Sequence, residues 1–308
     1  MELVKKDVTV RTSSVLKRLT FKKVFGFLFK IGLSILAIYI ISQKVGLQKV
    51  GFYIKQANWG FLLLAFLAFF VSKVVAAFRT NCYYRTQQLY LSEMLNLKLS
   101  LLAVFYNLFI PMIGGEGYKV YWLNRHCNTG LKNLAWAAFL DRISGVFALL
   151  CLAILILPFT MIPISYKSLA LLAIPLMYTT FFFIHRLLFK SFHPAWWKVN
   201  AYSIIVQVLQ VTCTFFIILA LSMDHHIFDY LFVFLLSSLA FVLPFLGARE
   251  MAFVFGATYL GLNPDLSLTI SLFFYLAMVV TSLSGLFYFM FPSYLTIEKS
   301  EKIETVFD

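Results

Sequence analysis

The 308-residue chain is 61% apolar and 18% aromatic, with only 13% charged residues and a mean hydropathy of +0.87. Soluble domains carry about 25% charged residues, so this composition excludes one and leaves no room for a sizeable soluble catalytic domain. The net charge of +13 does not point to nucleic acid, because the basic residues are placed rather than spread. Lys5, Lys6, Arg11, Lys17, Arg18, Lys22 and Lys23 precede the first apolar stretch, against Glu2 and Asp7, which is the positive-inside pattern of a cytoplasmic arm.

A membrane crossing takes about 20 mainly apolar residues. The stretch 25–42 meets that measure, is too long for a signal peptide and lacks a cleavage site, so it reads as a retained first span. The segment 43–58 is basic, with Lys44, Lys49 and Lys55. A second span is predicted over 59–78; Lys30 and Lys73 are read as snorkelling residues near span ends, and Arg79, Arg85 and Lys98 as a return to the cytoplasmic side.

The stretch 99–110 is apolar but too short to cross. It ends in PMIGGEG, residues 111–117, and a second short helix is predicted over 116–127. Full spans follow at 131–157, 168–184 and 201–222, the first interrupted by Asp141 and Arg142. The link between the last two is basic and aromatic, and 223–229, MDHHIFD, is acidic. A second half-length run at 230–243 breaks at PFLGARE, residues 244–250, and restarts at 251–260. The last span is predicted at 266–291, which puts both termini in the cytoplasm.

The two breaks resemble one another. Pro111, Gly114 and Glu116 lead to Gly130-Leu131 and a span holding Gly145. Pro244, Gly247 and Glu250 lead to Gly261-Leu262 and a span holding Gly285. The fold class expected is an all-α polytopic membrane protein. It has about six full spans and two re-entrant broken-helix hairpins arranged as an inverted repeat. The domains read as a basic arm 1–24, one transmembrane domain 25–292 with repeat halves at about 99–157 and 230–291, and a cytoplasmic tail 293–308.

Irregular backbone and charge at membrane depth are costly unless they face protein or water. The candidate substrate path or headgroup-binding residues are therefore Asn107, Gly114, Gly115, Glu116, Lys119, Arg125, Asp141, Arg142, Arg249 and Glu250, with Pro111, Pro244 and Gly247 as helix breaks. Asp141 and Arg142 are adjacent and point about 100° apart on a helix, so each needs a partner elsewhere. Arg142 with Glu116 and Asp141 with Arg249 are the pairs expected. The N-terminus of each restarted helix offers N–H groups to an anion such as phosphate, although Glu116 and Glu250 sit in those first turns. Asn107, an amide in an apolar limb, needs a partner. Cys82, Cys127, Cys151 and Cys213 are scattered, and His225-His226 has no ligand spacing around it. No metal, cofactor or catalytic residue is expected, and Gly114-Gly115-Glu116-Gly117 fits no nucleotide loop.

The pattern N-x-x-x-P-x-x-G-G-E-x-x-K (Asn107, Pro111, Gly114, Gly115, Glu116, Lys119), then D-R-x-x-G (Asp141, Arg142, Gly145), then P-x-x-G-x-R-E (Pro244, Gly247, Arg249, Glu250) resembles the lysylphosphatidylglycerol synthase transmembrane-region family. The resemblance spans about residues 25–292 and implies a flippase-like module that moves a lipid across the cell membrane. In aminoacyl-phosphatidylglycerol synthases a separate C-terminal soluble domain makes the lipid. This chain stops at Asp308 without one, so aminoacyl transfer is not expected of it. The expected function is translocation of an anionic phospholipid or glycolipid, with membrane lipids as partners. The alternatives are a polytopic transferase placing a sugar, acyl or aminoacyl group on lipid, and a small-solute permease.

Overall fold

A computed structural model describes residues 52, 55–109, 114–127, 129–240 and 248–295. The basic arm, the first predicted span at 25–42, the breaks Pro111, Pro244 and Gly247, and the tail beyond 295 lie outside the described residues. Everything described is helical or loop.

Helix α1 (Trp59–Thr86) starts where the Asn58 side chain accepts the Gly60 N–H at 3.0 Å, a standard N-cap. Its 28 residues span roughly 42 Å at about 1.5 Å each, more than the hydrocarbon thickness. Helix α2 (Glu93–Tyr106) is capped by Ser92, whose hydroxyl accepts the Leu95 N–H at 3.2 Å. After the break come α3 (Gly114–Cys127) and the long α4 (Leu131–Ile156), then two 3-10 turns and α5 (Ala173–Leu188). Helix α6 (Trp196–Ala220) runs antiparallel to α1, since the Asn58 N–H donates to the Ala220 carbonyl at 2.9 Å. Helices α7 (Ile227–Leu239) and α8 (Ala248–Tyr259) flank the second break. Helix α9 (Pro264–Met290) opens with proline after an Asn263 cap.

Five stretches are long and apolar enough to cross a membrane: Trp59–Thr86, Leu131–Phe159, Lys167–Leu188, His193–Ala220 and Pro264–Met290. They coincide with the five predicted spans that fall on described residues. Helices α2, α3, α7 and α8 are 14, 14, 13 and 12 residues long, each short of the roughly 20 needed.

Helices α1 and α6 form the most extensive pairing, with Leu62, Ala65, Phe69, Cys213, Ile217 and Ile218 in the central cluster. Lipid tails are as apolar as these side chains, so close packing rather than water exclusion holds such pairs together. Around this pair the short helices pack crosswise. Helix α2 contacts α3 and α9; helix α7 contacts α8 and α4. Two glycines allow the tightest of these approaches. A Cβ on Gly115 would lie 2.1 Å from the Ala103 carbonyl oxygen, and one on Gly285 would lie 2.2 Å from that of Leu101. Both glycines press on the backbone of α2.

Helix α5 sits at the periphery, with Leu172 before it and Leu176, Phe183, Leu187 and Leu188 on it exposed toward lipid. Phe181, in contrast, is buried against Phe147 and Trp196, so the Phe181–Phe183 run is only partly lipid-facing.

The two glycines that follow the breaks, Gly130 and Gly261, do different jobs. Gly130 precedes α4 with an ordinary φ of −57°. Gly261 ends α8 at φ +69°, the left-handed terminator that glycine adopts without a Cβ clash, and the Leu262 N–H bonds back to Ala257 at 2.9 Å.

Candidate functional site

The site is built on α1. Lys73, Ala76 and Thr80 recur at i, i+3 and i+7, which is one face of a helix, and Arg79 lies beside them. Lys73 is the fifteenth of 28 residues in α1. It is therefore at the middle of the span, because the helix runs two turns past the predicted end at 78. The expectation that it snorkels from a span end is corrected by that length. Arg79 likewise is buried in the bundle, not at a cytoplasmic return.

Arg79 meets Asp141 of α4 in a fork. Nε donates to Oδ1 and Nη2 to Oδ2, both at 2.8 Å, with both side chains about nine-tenths buried. Thr80 adds a third donor to Oδ1 at 3.2 Å. The remaining arginine nitrogen, Nη1, donates to the Ser203 hydroxyl of α6, which donates in turn to Ser144. Gln207 Nε2 donates to the Gly145 carbonyl at 3.1 Å. A Cβ on Gly145 would stand 3.2 Å from Arg79 Nη1, so this glycine makes room for the guanidinium. Asp141 thus pairs with Arg79 and not with Arg249, contrary to the pairing expected above. Both arginines carry the same guanidinium fork; the packing of α1 against α4 is what brings Arg79, and not Arg249, to the carboxylate.

Arg142 points to a different element, as its 100° offset from Asp141 requires. Its Nη2 lies 3.7 Å from Glu116 Oε1, a looser pair whose side chains are each about a quarter exposed. Glu116 sits in the first turn of α3. That helix start is also capped, because the Asn107 side-chain amide oxygen, Oδ1, accepts the Gly115 N–H at 2.9 Å. The apolar limb's amide therefore has its partner, and one of the N–H groups expected to face an anion is already taken.

Lys119, one turn further along α3, is only 2% exposed. Its Nζ donates to the Ser100 hydroxyl at 2.8 Å and stands 5.3 Å from the centre of the Tyr84 ring. Arg125 lies apart: it is exposed and bonded to the Tyr121 hydroxyl at 2.8 Å. Arg249 of α8 stacks over two rings, 4.0 Å from the centre of Phe274 and 4.8 Å from that of Phe234. Phe274 meets Phe69 edge to face at 5.0 Å, and Lys73 Nζ stands 4.6 Å over Phe69. An aromatic pair therefore connects the two cations. The side chain of Glu250 lies outside the described atoms.

These residues line two adjoining cavities. The first, about 180 Å³, is polar: Lys73, Arg79, Thr80, Ser100, Asn107, Glu116, Lys119, Asp141 and Arg142 face it. The second, about 350 Å³, is walled mainly by Phe69, Phe139, Ile143, Val146, Leu149, Val206 and Phe274, but Lys73, Arg79, Arg142, Gln207, Gln210, Ser238 and Arg249 also reach it. Lys73, Ala76, Arg79, Arg142 and Met278 belong to both linings and form the boundary between them.

Among the described residues no group of three or more metal-ligating side chains occurs. His226 instead pairs with Asp229 at 3.2 Å, and buried Asp229 accepts the Met161 N–H at 2.8 Å, tying the start of α7 to the loop after α4. The four cysteines are free.

A helical bundle with five membrane-length helices and a charged cavity in its interior defines a polytopic membrane protein. The family model described as the lysylphosphatidylglycerol synthase TM region matches residues 27–285. The chain belongs to that family. No curated protein and no solved structure matches it.

Proposed function

We propose that the protein translocates an anionic phospholipid or glycolipid across the cell membrane, with both chain termini in the cytoplasm. The observation that carries this reading is the pair of cavities, one lined largely by charged and polar groups and a larger one walled mainly by apolar side chains, sharing a boundary at Lys73, Ala76, Arg79, Arg142 and Met278. A molecule with one charged end and an apolar tail fits both compartments at once; a small polar solute leaves the larger one empty. Four basic residues (Lys73, Arg79, Lys119, Arg142) and two acidic ones (Glu116, Asp141) line the polar compartment, a formal balance of 4 − 2 = +2. That balance favours an anionic headgroup.

The crosswise packing supports an inverted repeat. Helices α2, α3 and α4 in one half correspond to α7, α8 and α9 in the other. The first limb of each half packs on the last helix of its counterpart, α2 on α9 and α7 on α4. In such folds two broken helices meet near the midplane and rocking of one half exposes the site to either face.

Reconstitution into vesicles carrying labelled phosphatidylglycerol in one leaflet tests the proposal, with leaflet exchange and headgroup chemistry followed together. The expected result is protein-dependent exchange of an unaltered lipid. Covalent conversion of the headgroup would favour the transferase reading, and exchange no faster than in empty vesicles would overturn translocation.

A further inference from the structure

Resting on the reading just given, a more specific assignment follows from asking which cations in the polar cavity are already engaged. Arg79 is not available: two of its nitrogens hold Asp141 and the third holds Ser203. Arg142 faces Glu116. The two lysines differ from both. Lys119 has one hydrogen bond, to the Ser100 hydroxyl, while an ammonium group has three donors. It is 2% exposed, so water does not hydrate it freely. Lys73 has the Phe69 ring beneath it, and neither lysine has a carboxylate within ion-pair distance among the described residues. Lys119 is buried and Lys73 half-buried, an ammonium withdrawn from water without a counter-charge is costly, and both line the same cavity.

We infer that Lys73 and Lys119 together form the seat for the anionic group of the lipid, with Arg79 and Arg142 acting as the scaffold that positions α1, α3 and α4 around it. Lys73 is the seat residue on the boundary of the apolar cavity, so a phosphodiester held there sends its acyl chains past Met278 toward Phe69 and Phe274. Lys119 lies on the polar side only and meets the far oxygens of the headgroup. The seat also discriminates. A headgroup bearing an added ammonium, as in an aminoacylated phosphatidylglycerol, brings like charge against Lys119, and no unpaired carboxylate of the cavity is there to receive it.

Calorimetric titration of the full chain in neutral detergent micelles tests this, with dioctanoyl phosphatidylglycerol, its lysylated form and glycerol phosphate as probes. The expected order is phosphatidylglycerol tightest, with lysylated lipid and glycerol phosphate each weaker. Lys73→Gln and Lys119→Gln should each weaken phosphatidylglycerol binding about 10-fold or more, the worth of one charge-assisted hydrogen bond. Lys73→Arg should retain most of it, and Arg186→Gln, on the exposed surface of the peripheral helix α5, should change nothing. Melting transitions of each variant check folding; should Lys119→Gln fail to fold, the Lys73→Gln and Lys73→Arg comparison decides. Wild-type binding that both glutamine variants preserve would overturn the seat and leave the proposed function standing. Absence of wild-type binding to any anionic lipid would overturn both. Equal affinity for the lysylated lipid would refute the charge selection.

Discussion

Replacing Asp141 by Asn removes one charge from a pair that the bundle buries completely around. The carboxylate receives two arginine N–H groups at 2.8 Å and the Thr80 hydroxyl at 3.2 Å, with Arg79 and Asp141 each 7% exposed. An asparagine of the same shape keeps one acceptor oxygen and turns the other into a donor facing a guanidinium. Breaking a buried pair in this way costs about 3–5 kcal/mol, because the surviving charge stays desolvated without compensation. The same reasoning makes a second, sharper forecast. Arg79→Met combined with Asp141→Leu removes both charges, and the polar neighbours keep partners: Thr80 bonds to the Ala76 carbonyl and Ser203 to Ser144. The double variant should therefore recover most of the loss. Reversible unfolding in mixed micelles, followed by circular dichroism, measures both. A loss below about 0.5 kcal/mol for Asp141→Asn, the range of ordinary surface changes, would refute the claim that this pair ties α1 to α4. A double variant as unstable as the single one would refute the charge argument specifically.

Gly115→Ala should be severely destabilising, since its Cβ would stand 2.1 Å from a backbone carbonyl oxygen of α2 that no side-chain rotation relieves. The expected cost is about 1–3 kcal/mol or more, and micelle unfolding reads it. Asn107→Ala should cost about 1 kcal/mol by releasing the Gly115 N–H, a loss that the same unfolding assay detects. Met278→Trp fills the boundary shared by the two cavities. It should slow leaflet exchange several-fold while the melting transition moves little.

Much of this arrangement was legible in the sequence because of where charge interrupts apolar runs. Five predicted spans fall where long helices stand, and the half-length stretches around residues 99–127 and 230–260 emerge as pairs of short helices. Glu116 does meet Arg142, and Asn107 has a partner, as an amide in an apolar limb must. Arg79 and Lys73 were misread for one reason. Their helix continues to Thr86 through Asn81, Tyr83 and Tyr84, residues whose polarity suggests an interface but which the bundle buries. The overlooked signal was the i, i+3, i+7 placing of Lys73, Ala76 and Thr80, a polar and small stripe on a long helix. The partner of Asp141 was not deducible, since Arg79 and Arg249 are equally suitable in type and only tertiary packing separates them. Arg249 is held instead by Phe234 and Phe274, whose aromatic faces give no periodic sign of stacking on a cation. The glycines at 130 and 261 looked equivalent, yet only Gly261 needs its left-handed φ.

Photocrosslinking tests the central claim most directly: a headgroup in the charged cavity with its chains in the apolar one. A phosphatidylglycerol carrying a diazirine in one acyl chain is incorporated with the full chain in nanodiscs, irradiated, and the adducts are mapped by mass spectrometry. The account predicts adducts on Phe69, Val146, Leu149 or Phe274, the walls of the apolar compartment, competed away by unlabelled phosphatidylglycerol. Adducts confined to lipid-facing positions such as Leu176, Phe183 and Leu187, unaffected by competitor, would contradict it.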